Sequence, residues 1–312
     1  MTPGVRHPFR PEAFQGRYGR KRYFEGWYFK FAFPSHSFAV IPGVSLSADD
    51  PHAFVQVIRS DVRAAGYTRY PVSEFSAQTK PFVLRVGPNQ FSLECVEVHL
   101  PGLDATLELD GVVRWPASAL SPNSMGWYAF WPFMECSHLV LVLDATAEGV
   151  VNGRNVRGRI YVEKDFGRSF PDAWVWFQSN SFESRGLSVT CSIGRVPLLG
   201  RGFRGVMAGV LLDGTVHRWT TYTGARVEEL VAHEGGVELC LSRGTDASQR
   251  LELRVDKAAG SELRSPIFGR MDGRIEETLD AQVELRLSTA GTTIFKGTGR
   301  HTGFEAHRPE VL

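Results

Sequence analysis

The chain has 312 residues, enough for one large or two ordinary domains, and its 43% apolar and 22% charged content is that of a globular protein. Thirty-five Lys and Arg stand against 34 Asp and Glu, so no net field draws the chain to nucleic acid or to an acidic partner. Four widely spaced cysteines, Cys95, Cys136, Cys191 and Cys240, form no CxxC pair, which argues against a zinc ribbon and for free thiols.

The first 14 residues, MTPGVRHPFRPEAF, contain no apolar core of a signal peptide, and no later run nears the roughly 18 apolar residues of a membrane span. A reducing, cytoplasmic setting is expected. Arg17, Arg20, Lys21 and Arg22 read as a solvated basic edge. Strand periodicity starts at 24–33 and continues at 38–45, 53–59, 89–99 and 105–113. The aromatic run 127–131 reads either as a lipid-facing lip or as a surface buried between domains. Strands then follow at 138–145, 157–166, 173–182, 187–193, 205–212 and 216–223. A short helical turn is expected at 227–231, with further strands at 237–242, 250–256, 282–288 and 292–297. Asn152-Gly153, Asp213-Gly214 and Glu234-Gly235-Gly236 are hairpin signals. This is an all-β chain with room for two antiparallel barrels. The pattern breaks over 182–203, so the expected domains are 1–185 and 186–312.

Four strands carry polar groups where a plain core strand would not. Tyr23, Glu25, Trp27, Phe29 and Phe31 share one face of 23–31. A carboxyl amid four aromatics has its neutral form favoured, which suits a proton donor. A Glu at the strand mouth beside Arg22 is the plainer reading. His138 shares a face with Met134, Cys136, Val140, Val142 and Asp144, where a satisfied core histidine is the commoner case. On 160–166, Tyr161, Glu163 and Asp165 alternate with Ile160, Val162, Lys164 and Phe166. Periodicity leaves two readings level: the acids lie in water and Lys164 snorkels out, or the acids face a cavity. The strand after it, expected to lie beside it, sets Trp174, Trp176, Gln178 and Asn180 at the same spacing. Indoles with convergent amides resemble the lining of a small-molecule cavity, and equally a core stripe.

No Gly-x-Ser-x-Gly elbow, Walker loop or Rossmann fingerprint is present, and the nine histidines show no HxH or HExxH spacing. Spacing therefore predicts neither a metal nor an organic cofactor.

Several stretches together resemble the tocopherol cyclase family, its bacterial members above all. They are FQGRYGRKRYFEGWYFK (14–30), IPGVSL (41–46), HAFVQV (52–57), WPFMECSH (131–138), YVEKDFGRSFPDAWVWFQSN (161–180), TYTGA (221–225) and SPIFGRMDGRIEE (265–277). The resemblance implies two lipocalin-like (calycin) barrels packed together. It implies acid-initiated cyclisation, or a related alkene protonation or pericyclic reaction, of a lipophilic prenylated quinol or polyene, without cofactor or metal. On the matching positions, Glu163 is the implied proton donor, with Asp165 and Lys164 as its catalytic neighbours. Tyr161, Trp174, Trp176, Gln178, Asn180, Glu25, Trp27 and His138 are the implied substrate-binding residues. Phe166, Ala145 and Ser181 stand where the family commonly has Trp, His and His, which implies a changed pocket and substrate. The other reading is a barrel that carries a hydrophobic isoprenoid ligand unchanged. A lipophilic partner, with a peripheral membrane contact left open, suits either reading; the oligomeric state is left open too.

Overall fold

A computed structural model describes residues 7–16, 21–131, 134–184, 186–198 and 201–312. Arg17 and Arg20 of the basic run, Pro132 and Phe133 of the aromatic segment, and Arg185 at the expected seam lie outside these. Among the described residues there is no α-helix, only strands and short 3₁₀ turns. No helix is long and apolar enough to cross a membrane. All four cysteines are free.

The first sheet comprises β1 (Arg22–Ala32), β2 (Ser37–Ser47), β3 (His52–Arg59), β4 (Ala64–Tyr70), β5 (Phe75–Thr79), β6 (Phe82–Val86), β7 (Asn89–Phe91), β8 (Cys95–Leu100), β9 (Leu103–Val113), β10 (Cys136–Val151) and β11 (Arg154–Gly167). Its order is β4-β3-β2-β1-β11-β10-β9-β8-β7-β6-β5, antiparallel throughout. The chain leaves β1 through a meander and returns to pair β11 with it, so the sheet curls into a nearly closed barrel. Its interior is filled by one core to which β1 sends Tyr23, Trp27, Phe29 and Phe31, and β11 sends Ile160, Val162 and Phe166. Ring contacts such as Phe29–Phe91 at 5.3 Å and Trp27–Phe82 at 6.3 Å close it.

The second sheet comprises β12 (Trp174–Ser179), β13 (Ser181–Phe182), β14 (Ser188–Leu198), β15 (Arg201–Leu212), β16 (Thr215–Thr220), β17 (Arg226–His233), β18 (Gly236–Arg243), β19 (Gln249–Asp256), β20 (Ser261–Ile267), β21 (Arg270–Thr289) and β22 (Thr292–His307). Its order is β16-β15-β14-β12-β22-β21-β19-β18-β17, with β13 on β22 and β20 on β21. Val175, Phe177, Trp219, Leu253 and Phe304 belong to its own separate core. The all-β architecture of lipocalin-like antiparallel barrels is therefore the one expected. Residues 227–231 are not a helical turn but part of β17, because β18 pairs with them antiparallel, with a bulge between Val227 and Glu229.

The chain divides into two compact units, residues 1–170 with 263–274, and residues 171–262 with 275–312. The sequence reading drew its seam at 185/186. The division lies at 170/171, and a late hairpin returns to the first unit.

Candidate active site

The β1–β11 ladder decides which side chains meet. Glu25 lies opposite Phe166, Trp27 opposite Lys164, Tyr28 opposite Glu163 and Lys30 opposite Tyr161. Alternation then puts Glu25, Trp27 and Lys164 on the core side with Val162 and Phe166, and Tyr161, Glu163 and Asp165 on the other side. Lys164 does not snorkel out. Its ammonium is fully buried, 2.7 Å from a Glu25 oxygen and 4.8 Å from the Trp27 ring. It donates to the Pro11 and Ala13 carbonyls. Glu25 accepts from the backbone N–H of Gln15 and Gly16 and from the Tyr23 hydroxyl. The Trp27 indole donates to the Glu12 carbonyl. Burial pushes the Lys164 pKa down, and Glu25 works against that shift. These three residues form an anchor that fastens segment 7–16 to the barrel core.

The acids on the other face are not in water either. Tyr161 is fully buried and Glu163 only 5% exposed. The Tyr161 hydroxyl donates to Glu163 Oε2 at 2.6 Å. His138 on β10, opposite Asp165 in register, stands between the two acids. Its Nδ1 is 3.0 Å from Asp165 Oδ1, and its Nε2 is 3.5 Å from Glu163 Oε2. Burial works to lower the imidazole pKa, but Glu163 and then Asp165 outweigh it and raise it to about 9. Cys136 Sγ lies 3.8 Å from Asp165 Oδ1, and burial, reinforced by Asp165, pushes its thiol well above the ordinary range. The ladder is irregular here: the β10–β11 register shifts between Val140 and Val142, and again before Ala145. Such bulges re-aim side chains and recur beside active sites. Beyond the second bulge, Arg159 binds buried Asp144 and donates to Thr146 Oγ1 at 2.9 Å.

The predicted residues thus fall into three groups. His138, Tyr161, Glu163 and Asp165 converge. Glu25, Trp27 and Lys164 meet on the opposite face of the same strands. Trp174, Trp176, Gln178 and Asn180 belong to the second unit. β12 pairs with β14 and β22 rather than with β11, so the expectation of neighbouring strands is corrected. There the Trp174 indole donates to Glu305 at 3.0 Å and stacks on His307 at 4.6 Å. Val175 and Phe177 take the core side of β12, leaving both indoles and Gln178 on its other face, all buried. Sequence reasoning missed Gly26, Tyr28 and Lys30, which by register share the acid face. FEGWYFK alternates on both faces, and only its odd-numbered face was read. Gly26 stands opposite Asp165, and a Cβ there would make ordinary contact with Ile41 at 3.7 Å and Phe54 at 4.0 Å.

His138, Glu163 and Asp165 bring ligand atoms within 4.8 Å of one another. The imidazole faces each acid with a different nitrogen. A doubly protonated ring satisfies both, whereas a metal would take one nitrogen only.

The chain belongs to the tocopherol cyclase-like family, whose model matches residues 103–306. No curated protein matches it in sequence. Among solved structures it is similar to CghA, with a TM-score of 0.58 at 12% identity over 92% of this chain and 88% of that one. CghA with Sch210972 gives 0.56 at 11% identity, with the same coverage. A protein of Nitrosomonas europaea assigned as AttH gives 0.51 at 12% identity over 98% of each chain. At such identities the likeness is one of fold.

Proposed function

We propose that the chain is an enzyme that protonates an alkene of a lipophilic prenylated quinol or related polyene, with Glu163 as the group that hands over the proton. The observation that carries this reading is the chain Tyr161–Glu163–His138–Asp165, buried at its Tyr161 and Glu163 end and half-buried at His138 and Asp165. His138 keeps a proton at neutral pH within 3.5 Å of the Glu163 carboxylate. Passing it to Glu163 creates a neutral carboxylic acid in a water-poor place, the state general-acid catalysis needs. Asp165 stabilises and orients the imidazolium, and the Tyr161 hydroxyl fixes the carboxyl rotamer. The alkene π pair takes the Glu163 proton and leaves a tertiary cation. The quinol oxygen then bonds to that carbon, and its released proton returns to the Glu163 carboxylate, so the cycle balances without a cofactor. Membership of the tocopherol cyclase-like family supports this chemistry.

The test is an incubation with a phytylated dimethylhydroquinone in deuterated buffer, read by mass spectrometry. Wild type should give a chroman carrying one deuterium, and Glu163→Gln none. A chroman from both proteins would remove Glu163 from the mechanism. Unchanged quinol co-purifying with wild type would instead make the protein a carrier.

A further inference from the structure

We infer that the aromatic turn formed by residues 126–131, together with Phe9, is a membrane-docking surface that inserts into the headgroup boundary of an uncharged, zwitterionic bilayer. The inference rests on surface chemistry and does not depend on the reaction proposed above. Residues 115–134 contain no Asp, Glu, Lys, Arg or His, in a chain that is 22% charged overall. A loop of this length exposed to water ordinarily carries charge. This one carries rings. Trp127 is 47% exposed, Phe130 50% and Trp131 40%, and Phe9 of the N-terminal segment joins them at 60%. They form two ring pairs at the same short turn: Phe9 and Phe130 lie 6.1 Å apart by ring centroids, Trp127 and Trp131 6.4 Å. The 3₁₀ turn Gly126–Phe130 holds them, and its base is tied down by Asn123 donating to the Pro8 carbonyl and by Ser124 Oγ accepting from Val140 N–H. The rings are thus displayed on a fixed turn.

Charge and area choose the occupant. Arg114 and Glu135 bracket the segment, Arg114 is 3.6 Å from Glu12, and Arg10 beside Phe9 donates to the Thr79 carbonyl, so the aromatic turn presents no cluster of like charge and complements a neutral surface rather than an anionic one. Tryptophan and phenylalanine on a short fixed turn match the interfacial zone, where an indole keeps its ring apolar and its N–H wet. A second copy of the chain fits poorly. Four half-exposed aromatics present about 400 Å², roughly half of the ~800 Å² that each partner of a stable dimer buries.

The test is flotation of the full chain with phosphatidylcholine vesicles, alongside phosphatidylserine-rich vesicles as the anionic comparison that basic surfaces bind. Wild type should float with both to a similar degree and independently of salt. Trp127→Ser/Phe130→Ser/Trp131→Ser should lower the vesicle partition coefficient roughly tenfold or more, as the apolar area of three large side chains no longer inserts. A single Phe130→Glu, which leaves the other rings in place, should do nearly as much. Both variants should keep the wild-type melting temperature, because the removed side chains lie at the surface. Failure of wild type to float with phosphatidylcholine would overturn the inference. So would undiminished flotation of both variants, binding that needs phosphatidylserine and is lost in salt, or a wild-type dimer that the triple variant dissolves.

Discussion

His138 shows how a residue can be ordinary in sequence and distinctive in place. Its own strand surrounds it with apolar residues, while its neighbours across the ladder are two carboxylates. A charge near two opposite charges keeps its proton, and here that effect exceeds the cost of burial. The sign of the linkage follows. The folded pKa of about 9 exceeds the ordinary value near 6.5, so protonation stabilises the fold. That contribution is complete below pH 6.5 and is lost as the pH rises through 9. An NMR titration of the ring should therefore show a midpoint near 9 in wild type, moved downward in both Glu163→Gln and Asp165→Asn. Denaturant unfolding should find wild type losing stability between pH 6.5 and 9, by about 2 kcal/mol once partial exposure is allowed for. His138→Gln should lack that slope. A ring that titrates near 6.5 would mean that the two acids do not hold it.

At the scale of the element, β11 serves two purposes with its two faces. Its Lys164 closes an ion pair with Glu25 inside the barrel, and its Glu163 faces a histidine outside it. Removing one member of a fully buried pair leaves the other uncompensated, at a cost of about 3–5 kcal/mol. Lys164→Met should lose about that much in urea unfolding, and segment 7–16 should exchange its amide hydrogens faster. Glu25→Gln/Lys164→Met together should lose less than the two single changes summed, since neither charge is then stranded. Additive losses would show that the pair is not coupled. The same strand explains what could be read in advance. Alternation along 160–166 and 173–180 located both strands and singled out Glu163, Tyr161 and Asp165. It could not say which face turns inward, because both faces of β11 are buried. That choice is made by β1, more than 130 residues earlier in the chain. The family resemblance implied Lys164 as a catalytic neighbour of the acids, although alternation sets it on the opposite face, where it meets Trp27 and Glu25. β4, β5, β6 and β20 went unread for a local reason. Gly66 and Arg69 blur the alternation of β4, as Glu262, Arg264 and Pro266 blur that of β20, while β5 and β6 are only 5 residues each, too short for periodicity to single out.

At the scale of the whole molecule, the chain does not finish the first unit before it starts the second. Residues 263–274 come back as the hairpin turn between β20 and β21. There Arg264 exchanges hydrogen bonds with the Gln56 side chain, and its guanidinium lies 4.7 Å from the Tyr67 ring centroid. The Gly269 N–H donates to the Arg168 carbonyl, and the Ser45 hydroxyl donates to the Gly269 carbonyl at 2.6 Å. Gly269 has a φ of +82°, and a Cβ on it would come within 2.3 Å of the Tyr23 backbone nitrogen. Gly291 is its natural control. It has nearly the same φ, +79°, at the turn between β21 and β22, but nothing lies within 4 Å of its added Cβ. Gly291→Ala should cost about 1 kcal/mol, the conformational term alone. Gly269→Ala should cost that and the clash with backbone that cannot move aside, about 3 kcal/mol in all. Thermal unfolding of the two variants measures the difference, and the loss in Gly269→Ala should appear together with faster amide exchange around Ser45 and Gln56. Equal losses in the two variants would mean that the returning hairpin is not seated on β1 and β2, and that the first barrel can form without the end of the chain.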